Sequence, residues 1–402
     1  MNWQTKTLAE VAYTAGRIGW KGLTAKEYTE SGPYFLSVHS LNYGDFVDFR
    51  DAFHITDARY EESPEIMIKP NDILICKDGA GIGKVGIVKT IPGPTTINSS
   101  LLLIRPLQDI EPKLLYYKLC SPSFQKIVQE RIEGATTPHL YQREIKNFLI
   151  SLPGNTEQKR IVAILDQAFA DIEQARAKTE QNLKNARELF ESYLQKVFSQ
   201  RGEGWVDKRV EEIADLSRGQ NPPKSEFIYE PREGYVRFYQ IRDGKSDKNA
   251  VYVPASSKLH YVEETDILMV AYRHVGGAFR GVKGAFNVAL CKITNKDRSV
   301  LHDDFLFHLI PSSFIKGELM KASERSLIPS MSVKHLAGLK IPIPPPHSQD
   351  EIVRKINIME KECKRLEFIY KLKLDALDEM KKSILQKAFS GELTKEQEGA
   401  AA

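Results

Sequence analysis

The chain is poor in cysteine, and none of its cysteines is spaced as a pair. Only Cys76, Cys120, Cys291 and Cys363 occur in 402 residues. Thiolate zinc sites and disulfide frameworks both depend on closely or regularly spaced cysteines, so neither is expected. We expect four free thiols.

Long apolar runs are also missing. No stretch of about 18 apolar residues occurs, which predicts that the chain has no membrane span. The N-terminus, MNWQTKTLAEVAY, lacks the apolar core of a signal peptide. These absences predict a cytoplasmic protein.

The sequence also lacks motifs in which catalytic residues recur at a characteristic spacing. The nine histidines are dispersed without an HExxH pattern, and no nuclease-like cluster of carboxylates is evident. Gly81–Gly86 fits GxGxxG, but the dinucleotide fingerprint needs a helix after it, and the strand-like Val85–Val88 follows instead. This pattern predicts a glycine hairpin that presents Lys77 and Lys84.

Asn221-Pro222-Pro223-Lys224 resembles the Asn-Pro-Pro-aromatic signature of amino-methyltransferases only in part. Lys224 stands where an aromatic ring would stack on a flipped adenine. No glycine-rich helix start for S-adenosylmethionine precedes this segment. We therefore expect no methyl transfer by this chain.

Two long stretches, Thr156–Ser199 and Gln349–Ser390, carry apolar or small residues at alternating spacings of three and four. This periodicity predicts a heptad seam on each of two long helices. The predicted seam residues are Ile161, Leu165, Ala168, Ile172, Ala175, Ala186, Leu189 and Tyr193, then Ile352, Ile356, Met359, Cys363, Leu366, Tyr370, Leu377, Met380 and Ile384.

The two stretches align without a gap at an offset of 191 residues. Gln158 falls on Gln349, and LQKVFS at 194–199 falls on LQKAFS at 385–390. The chain is thus two copies of one unit, each a globular half followed by a long helix. Such a repeat predicts antiparallel pairing of the helices about a pseudo-two-fold axis.

The fold class predicted is α+β, with two α/β globular domains in a pseudo-two-fold repeat separated by an antiparallel coiled coil. Thr156 and Ser348 are expected to cap the long helices. The expected divisions are a first globular domain at 1–154, a helix at 155–201, a second domain at 202–347, a helix at 348–392 and a flexible tail at 393–402.

Within the globular halves, short runs rich in Ile, Val, Phe and Tyr predict strands. Helices are expected at Glu111–Leu119, Pro122–Ile132 and Pro311–Ala322. The predicted strands are Tyr34–Val38, Phe46–Phe49, Asp72–Cys76, Val85–Val88, Ser100–Ile104, Gly234–Ile241, Asp266–Val270, Phe286–Ile293 and Phe305–Leu309.

Basic charge is concentrated in the globular halves. Gly79–Gln108 and Ile267–Lys296 contain no acidic residue, whereas Thr156–Ser199 holds seven basic and seven acidic residues. This distribution favours a polyanion as partner, although chance clustering on a solvated face would look the same.

The whole chain resembles the specificity subunits of Type I restriction-modification systems. The resemblance rests on the Pro-to-Val junctions at Pro153–Val162 and Pro344–Val353, on the helix ends LQKVFS and LQKAFSGELT, and on the loop Asp78–Val88. It implies two target-recognition domains that each read half of a bipartite site in double-stranded DNA, with conserved helices setting the spacer.

The resemblance also implies partners and cofactors. Two modification (methyltransferase) subunits and restriction (endonuclease and translocase) subunits would dock on this chain and perform the chemistry. The chain itself would bind no cofactor, while S-adenosylmethionine, ATP and magnesium would belong to the partners. The apolar residues Leu183, Phe190, Leu366 and Ile369 are candidates for docking or for packing on the domains.

Loop cations and amides are the candidate DNA contacts, because Arg reads guanine, Asn reads adenine and Lys more often meets phosphate. A solvated surface charge is the alternative for each. The candidates are Arg17, Lys21, Lys77, Lys84 and Asn98 in the first half, and Arg218, Lys224, Arg237, Arg273, His274, Arg280 and Lys283 in the second.

Two other function classes remain open from the residues alone. An enzyme acting by itself would bind S-adenosylmethionine or cut DNA without partners. A coiled-coil scaffold for proteins would show no salt-dependent affinity for DNA.

Overall fold

The computed structural model describes residues 3–17, 23–133, 138–200, 202–272, 276–323 and 332–393. The chain forms two compact units. The first comprises 1–178 and 373–402, and the second comprises 179–372. Each unit therefore contains one globular half together with segments of both long helices.

The first globular half is built from nine strands and five α-helices in the described residues, with short 3₁₀ helices between them. Its strands are β1 (Gln4–Thr7), β2 (Ala12–Ala15), β3 (Thr29–Leu36), β4 (Phe53–His54), β5 (Ile73–Cys76), β6 (Val85–Ile87), β7 (Thr95–Ile97), β8 (Leu101–Pro106) and β9 (Leu149–Leu152). Its helices are α1 (Leu8–Val11), α2 (Asp57–Glu61), α3 (Pro112–Cys120), α4 (Pro122–Ile132) and α5 (Gln142–Asn147). The first long helix, α6 (Asn155–Ser199), follows.

The second half repeats the pattern. Its strands are β10 (Val206–Arg209), β11 (Ala214–Arg218), β12 (Tyr235–Tyr239), β13 (Tyr252–Pro254), β14 (Tyr261–Val262), β15 (Ile267–Val270), β16 (Ala278–Phe279), β17 (Gly284–Phe286), β18 (Leu290–Asn295) and β19 (Lys340–Ile343). Its helices are α7 (Val210–Ile213), α8 (Asp303–Leu309), α9 (Ser313–Ser323), α10 (Val333–Gly338) and the second long helix, α11 (Pro346–Ser390).

The sheets of the two halves correspond, except that β14 adds a fourth strand to the sheet β13-β12-β17-β14, where the first half has the three-stranded β4-β3-β7. The order β2-β8-β5-β6 in the first half corresponds to β11-β18-β15-β16 in the second. Beside each of these sheets, one pair of strands runs parallel: β3 with β7, and β12 with β17. The first and last strands of each half also pair, β1 with β9 and β10 with β19. The predicted α+β fold with a repeated domain and long helices is confirmed.

The long helices pack through an apolar seam inside each unit. Ile161, Leu165 and Ile172 of α6 share a buried cluster with Leu377 and Leu385 of α11 in the first unit. In the second unit, Leu194 and Phe198 of α6 share a buried cluster with Val353 and Ile356 of α11. Residues early in α6 meet residues late in α11, and the reverse, so the segments run antiparallel.

Four details of the secondary structure and seam predictions are wrong. Phe305–Leu309 lies in α8, because Phe305, Leu306 and Leu309 bury one face of a helical turn rather than alternate faces of a strand. Phe46–Phe49 forms no strand beyond a single bridge from Phe46 to Ile87.

The long helices begin at Asn155 and Pro346, so Thr156 and Ser348 lie within the first turn instead of capping it. Leu189 and Met380, which occupy equivalent positions in the repeat, are 48% and 50% exposed and do not belong to the seam. Leu194 and Leu385, further along, are buried instead. Among the described residues, no helix is both long and apolar enough to cross a membrane.

Candidate nucleic-acid interface

In the first unit, the glycine loop predicted from the sequence is a hairpin. β5 pairs antiparallel with β6, and a short 3₁₀ helix, Gly79–Gly81, lies between them. A Cβ on Gly81 would lie 2.3 Å from Val38 Cγ2, so any larger residue would have to displace the Val38 side chain. A strand follows the glycines, which removes the helix N-terminus that a dinucleotide site requires. The hairpin interpretation is confirmed.

The hairpin places Lys77 and Lys84 at one end of the sheet. Lys84 is exposed, and its Nζ donates to Asn42 Oδ1 at 2.6 Å. Lys77 is partly buried, and its Nζ pairs with Asp78 Oδ2 at 2.9 Å. Asp78 also pairs with the His139 ring. Lys84 can therefore reach a phosphate by giving up one neutral hydrogen bond, whereas Lys77 would first have to leave a carboxylate.

Asn98 lies at the same end of the sheet. It follows β7 directly, and its backbone N–H donates to Leu36 O at 2.9 Å across the parallel strands. Its side-chain Oδ1 accepts from the Ser100 N–H at 3.1 Å, and Lys77 N–H donates to Ser100 O at 2.9 Å. The structure thus brings Lys77, Lys84 and Asn98 together at one end of the sheet.

Arg17 has a structural role in this region. Its side chain is buried, Nε donates to Ile97 O at 3.0 Å, and the guanidinium lies over the Phe35 ring. Burial lowers the pKa of Arg17, the sign expected when a charge is removed from water. We leave Arg17 out of the proposed contacts because its donors hold β7 in place.

In the second unit, the Asn221 loop and the turn at Asn287–Leu290 form the equivalent end of the sheet. Arg218 Nη1 donates to Val288 O at 2.9 Å, and Val288 N–H donates to Asn221 Oδ1 at 3.3 Å. The Asn-Pro-Pro segment therefore fastens a turn. Lys224, which follows it, is exposed.

Asn287 is a candidate that the sequence reasoning missed. It follows β17 and donates its backbone N–H to Tyr239 O at 3.0 Å, just as Asn98 follows β7 and bonds to Leu36. The signal was present in the sequence, as INSSL at 97–101 and FNVAL at 286–290. These segments are offset by 189 residues, two fewer than the helices, so the 191-residue repeat does not align the two asparagines.

Arg237 has a structural role in the second unit. Its side chain is only 10% exposed and pairs with Asp243 Oδ1 at 3.0 Å and with Asp247 Oδ1 at 3.1 Å. Nη1 also donates to Val251 O at 3.1 Å. The structure gives this arginine the task of neutralising a buried carboxylate, so we remove it from the proposed contacts.

Arg280 and Lys283 lie on the surface with acidic partners. Arg280 Nη2 pairs with Asp304 Oδ1 at 2.5 Å, and its guanidinium lies 4.4 Å from the centre of the Phe307 ring. Lys283 Nζ pairs with Glu263 Oε2 at 2.9 Å and is largely exposed. Both remain candidates for phosphate contacts. The remaining candidates, Lys21, Arg273 and His274, lie outside the described residues.

Buried thiols and phenols in the described residues are held in their protonated forms. Burial raises the pKa of Cys120 to about 12 and that of Cys291 to about 11. Burial also raises the pKa of Tyr116 and Tyr117, which donate to Asp45 and Asp166. None of these groups is poised as a nucleophile or base. Over the same residues, no cluster of His, Cys, Asp and Glu could hold a metal ion.

Comparisons with known proteins give the class. The family model of the Type I restriction modification DNA specificity domain matches residues 1–183 and 202–372. The chain therefore belongs to the family of Type I restriction-modification specificity proteins, which are non-catalytic subunits.

Three relatives show how far the similarity extends. The MjaIX specificity subunit of Methanocaldococcus jannaschii is 23% identical over 371 residues, covering 86% of this chain and 83% of that protein. The solved HsdS subunit of Thermoanaerobacter tengcongensis shares the fold with a TM-score of 0.56 at 19% identity, over 97% of both chains. A chain solved in a study of complex assembly and conformational transition of the type I R-M system has a TM-score of 0.77 at 19% identity, over 97% of this chain and 98% of that one.

Proposed function

We propose that this chain reads a bipartite sequence in double-stranded DNA, with each unit recognising one half. The observation that carries the proposal is the repeated loop position, where Asn98 and Asn287 follow the corresponding parallel strands β7 and β17. An asparagine amide can read adenine bidentately, and exposed lysines can neutralise phosphates. Lys84, Lys224, Arg218, Arg280 and Lys283 are the further contacts we include.

The paired helices would set the spacer between the half-sites. Each long helix is 45 residues long and keeps an apolar seam in both units. Adding one heptad to each helix preserves the seam and lengthens it by about 10 Å. At about 3.4 Å per base pair, this should widen the spacer by roughly three base pairs.

Partner subunits would supply the chemistry. We propose that modification and restriction subunits dock on this chain and hold the S-adenosylmethionine, ATP and magnesium that the reactions need. In the second unit, α11 exposes Ile358, Phe368, Ile369 and Leu372 at 59, 61, 43 and 52%. So much apolar surface on one helix is typical of a protein interface. Leu183, Phe190 and Leu366, by contrast, are half-buried in the structure. A cytoplasmic location follows from this proposal, because chromosomal DNA and the partners lie there.

Mapping methylated bases in the source organism tests the proposal. Deleting the gene should abolish methylation at one bipartite motif, and restoring it should bring the motif back. Restoring it with Asn98→Ala should relax only one half of the motif, and Asn287→Ala only the other. Lys69→Ala is the matched control, because Lys69 is exposed near the opposite end of β5. Methylation that is unchanged by the deletion would contradict the proposal.

Docking is tested separately by co-purification. Phe368→Asp with Leu372→Asp should release the modification subunit from the tagged chain, whereas Lys184→Asp, on an exposed part of α6, should not. Retention of the subunit by the double variant would place the interface elsewhere.

A further inference from the structure

Ion pairs join the long helices in each unit. In the first unit, Arg176 of α6 pairs with Asp378 of α11. In the second unit, Arg187 Nε of α6 lies 3.1 Å from Glu367 Oε2 of α11. All four side chains are partly exposed, at 26 and 55% for the first pair and 56 and 27% for the second.

These two pairs occupy the same two positions of the repeat. Helix α6 spans Asn155–Ser199 and α11 spans Pro346–Ser390, so the helices correspond residue by residue along their whole lengths. Arg176 corresponds to Glu367, and Arg187 corresponds to Asp378. Both arginines therefore lie on α6, and both acidic residues lie on α11.

This arrangement distinguishes pairing of the two different helices from pairing of one helix with its own copy. If α6 paired with a second α6 in the same antiparallel register, Arg176 would face Arg187 twice. If α11 paired with a second α11, Glu367 would face Asp378 twice. We propose that each long helix selects the other helix of the chain as its partner and rejects a second copy of itself through these opposed charges.

The apolar seam is alike in the two helices at several positions. Ile161 corresponds to Ile352, Leu194 to Leu385, and Phe198 to Phe389. At other positions the seam differs in size, because Ala175 and Ala186 of α6 correspond to Leu366 and Leu377 of α11. Charge adds a second difference between the alternatives, at partly exposed positions.

A third contact has the same effect. Lys381 Nζ of α11 lies 3.5 Å from Glu173 Oε1 of α6 in the first unit. The residue corresponding to Glu173 is Lys364. Pairing of α11 with its own copy would therefore bring Lys381 to face Lys364.

A single exposed ion pair is weak, but self-pairing changes several at once. Two α6–α11 pairs together contain four attractive contacts at these positions. If they rearranged into one α6–α6 pair and one α11–α11 pair, four repulsive contacts would replace them. We expect the combined preference to be on the order of 100-fold or more in the equilibrium.

Charge exchange separates this selection from stability. Arg187→Glu with Glu367→Arg keeps an opposite-charge pair at both sites between α6 and α11. In self-pairing, however, the introduced glutamate would face Arg176, and the introduced arginine would face Asp378. This variant has the composition of the natural chain and should lose the selection. Adding Arg176→Asp with Asp378→Arg reverses every sign and should restore it.

The experiment starts from folded full chains with a protease site inserted at Glu203, in an exposed turn between α6 and β10. Two preparations of each variant carry different N-terminal tags. After cleavage and mixing, one tag is captured, and N-terminal fragments bearing the other tag are measured. Melting of the uncut chains checks that all variants fold. Arg176→Asp with Asp378→Arg alone is a second exchange with the same expected result.

The natural chain should give only background capture between N-terminal fragments. The single exchange should give at least tenfold more than that background, and the full exchange should return to the natural value. Equal capture from all three, or no increase in either single exchange, would overturn the proposal. So would capture by the full exchange that matches the single one. Because the readout involves no DNA, failure of the proposed function would leave this result standing.

Discussion

Gln158 and Gln349, at equivalent positions in the two long helices, make the same three hydrogen bonds. Gln158 Oε1 accepts from the Glu111 N–H at 2.9 Å, and its Nε2 donates to Asp109 O and Pro153 O. Gln349 Oε1 accepts from the His302 N–H at 2.7 Å, and its Nε2 donates to Val300 O and Pro344 O. Each buried amide thus ties the first turn of a long helix to the N-terminus of α3 or α8 and to the end of the preceding strand.

Removing either amide should destabilise the unit that contains it. Gln158→Ala leaves the Glu111 N–H and two carbonyls without their partner in a buried site, and each such group costs free energy. We expect the free energy of unfolding to fall by about 2–3 kcal/mol. Chemical denaturation of the full chain measures this, and Gln349→Ala should behave alike.

Gln167→Ala is the matched control, because Gln167 is exposed on α6 and donates only to Asp171. Its effect should stay within about 0.5 kcal/mol. Should Gln158→Ala prove as mild as Gln167→Ala, the three hydrogen bonds would not be stabilising the junction.

The long helices were predictable because their signal is local and repeated. A heptad pattern that no Pro or Gly interrupts predicts a single long helix. The 191-residue offset alone shows that Gln158 and Gln349 occupy equivalent positions. The hydrogen bonds of these glutamines were not predictable, because their partners at Asp109 and Val300 lie about 50 residues away. Phe305–Leu309 was assigned as a strand because a short apolar run carries no decisive period.

Less of the candidate site than of the fold is predictable from the sequence. Lys84 and Asn98 can be placed in loops because glycines and strand ends mark those loops. Arg17 and Arg237 are predicted as basic loop contacts, yet Arg17 is buried and the Arg237 side chain is only 10% exposed. The sequence gives the charge of an arginine but not its partner. Asp243, which neutralises Arg237, could not be identified without the three-dimensional arrangement.

Lys84→Ala should weaken binding of DNA by the complex almost equally for all sequences. A lysine that neutralises one phosphate contributes counterion release, so the slope of log K against log salt should decrease in magnitude by about 1. Binding titrations between 50 and 200 mM salt, on the chain with its partner subunits, measure the slope. Lys69→Ala, from the same domain, should leave it unchanged. If both variants kept the natural slope, Lys84 would not contact phosphate.

Arg237→Ala should destabilise the second unit rather than act on DNA directly. Asp243 has a fully buried side chain and would keep a charge without its counterion. Breaking one side of a buried pair costs about 3–5 kcal/mol. Denaturation should show this loss, and Arg237→Ala combined with Asp243→Ala should recover part of it.

Lys224→Ala provides the contrast, since Lys224 is exposed. It should weaken DNA binding without changing the denaturation midpoint. Natural stability in Arg237→Ala together with reduced DNA affinity would make Arg237 a candidate DNA contact again.

His308 should make the second unit less stable in mild acid. Its ring is buried in α8, and Nε2 donates to Asn357 Oδ1 of α11 at 2.9 Å. Burial lowers the pKa of His308 below its usual 6.5, and Arg280 lowers it further. The hydrogen bond to Asn357 and the nearby Glu360 and Asp304 raise this pKa, but by less than burial lowers it. The folded state therefore binds fewer protons at this site than the unfolded state does.

The sign of the effect follows from that difference. The stabilisation is fully present above pH 6.5 and is lost as the pH falls through 6.5 toward the lowered pKa, with a slope of at most about 1.4 kcal/mol per pH unit. Denaturation midpoints at pH 7.5 and 5.5 should differ less in His308→Gln than in the natural chain. His347→Gln, at an exposed histidine, should keep the natural difference. An identical pH dependence in His308→Gln would mean that His308 is protonated equally in the folded and unfolded states.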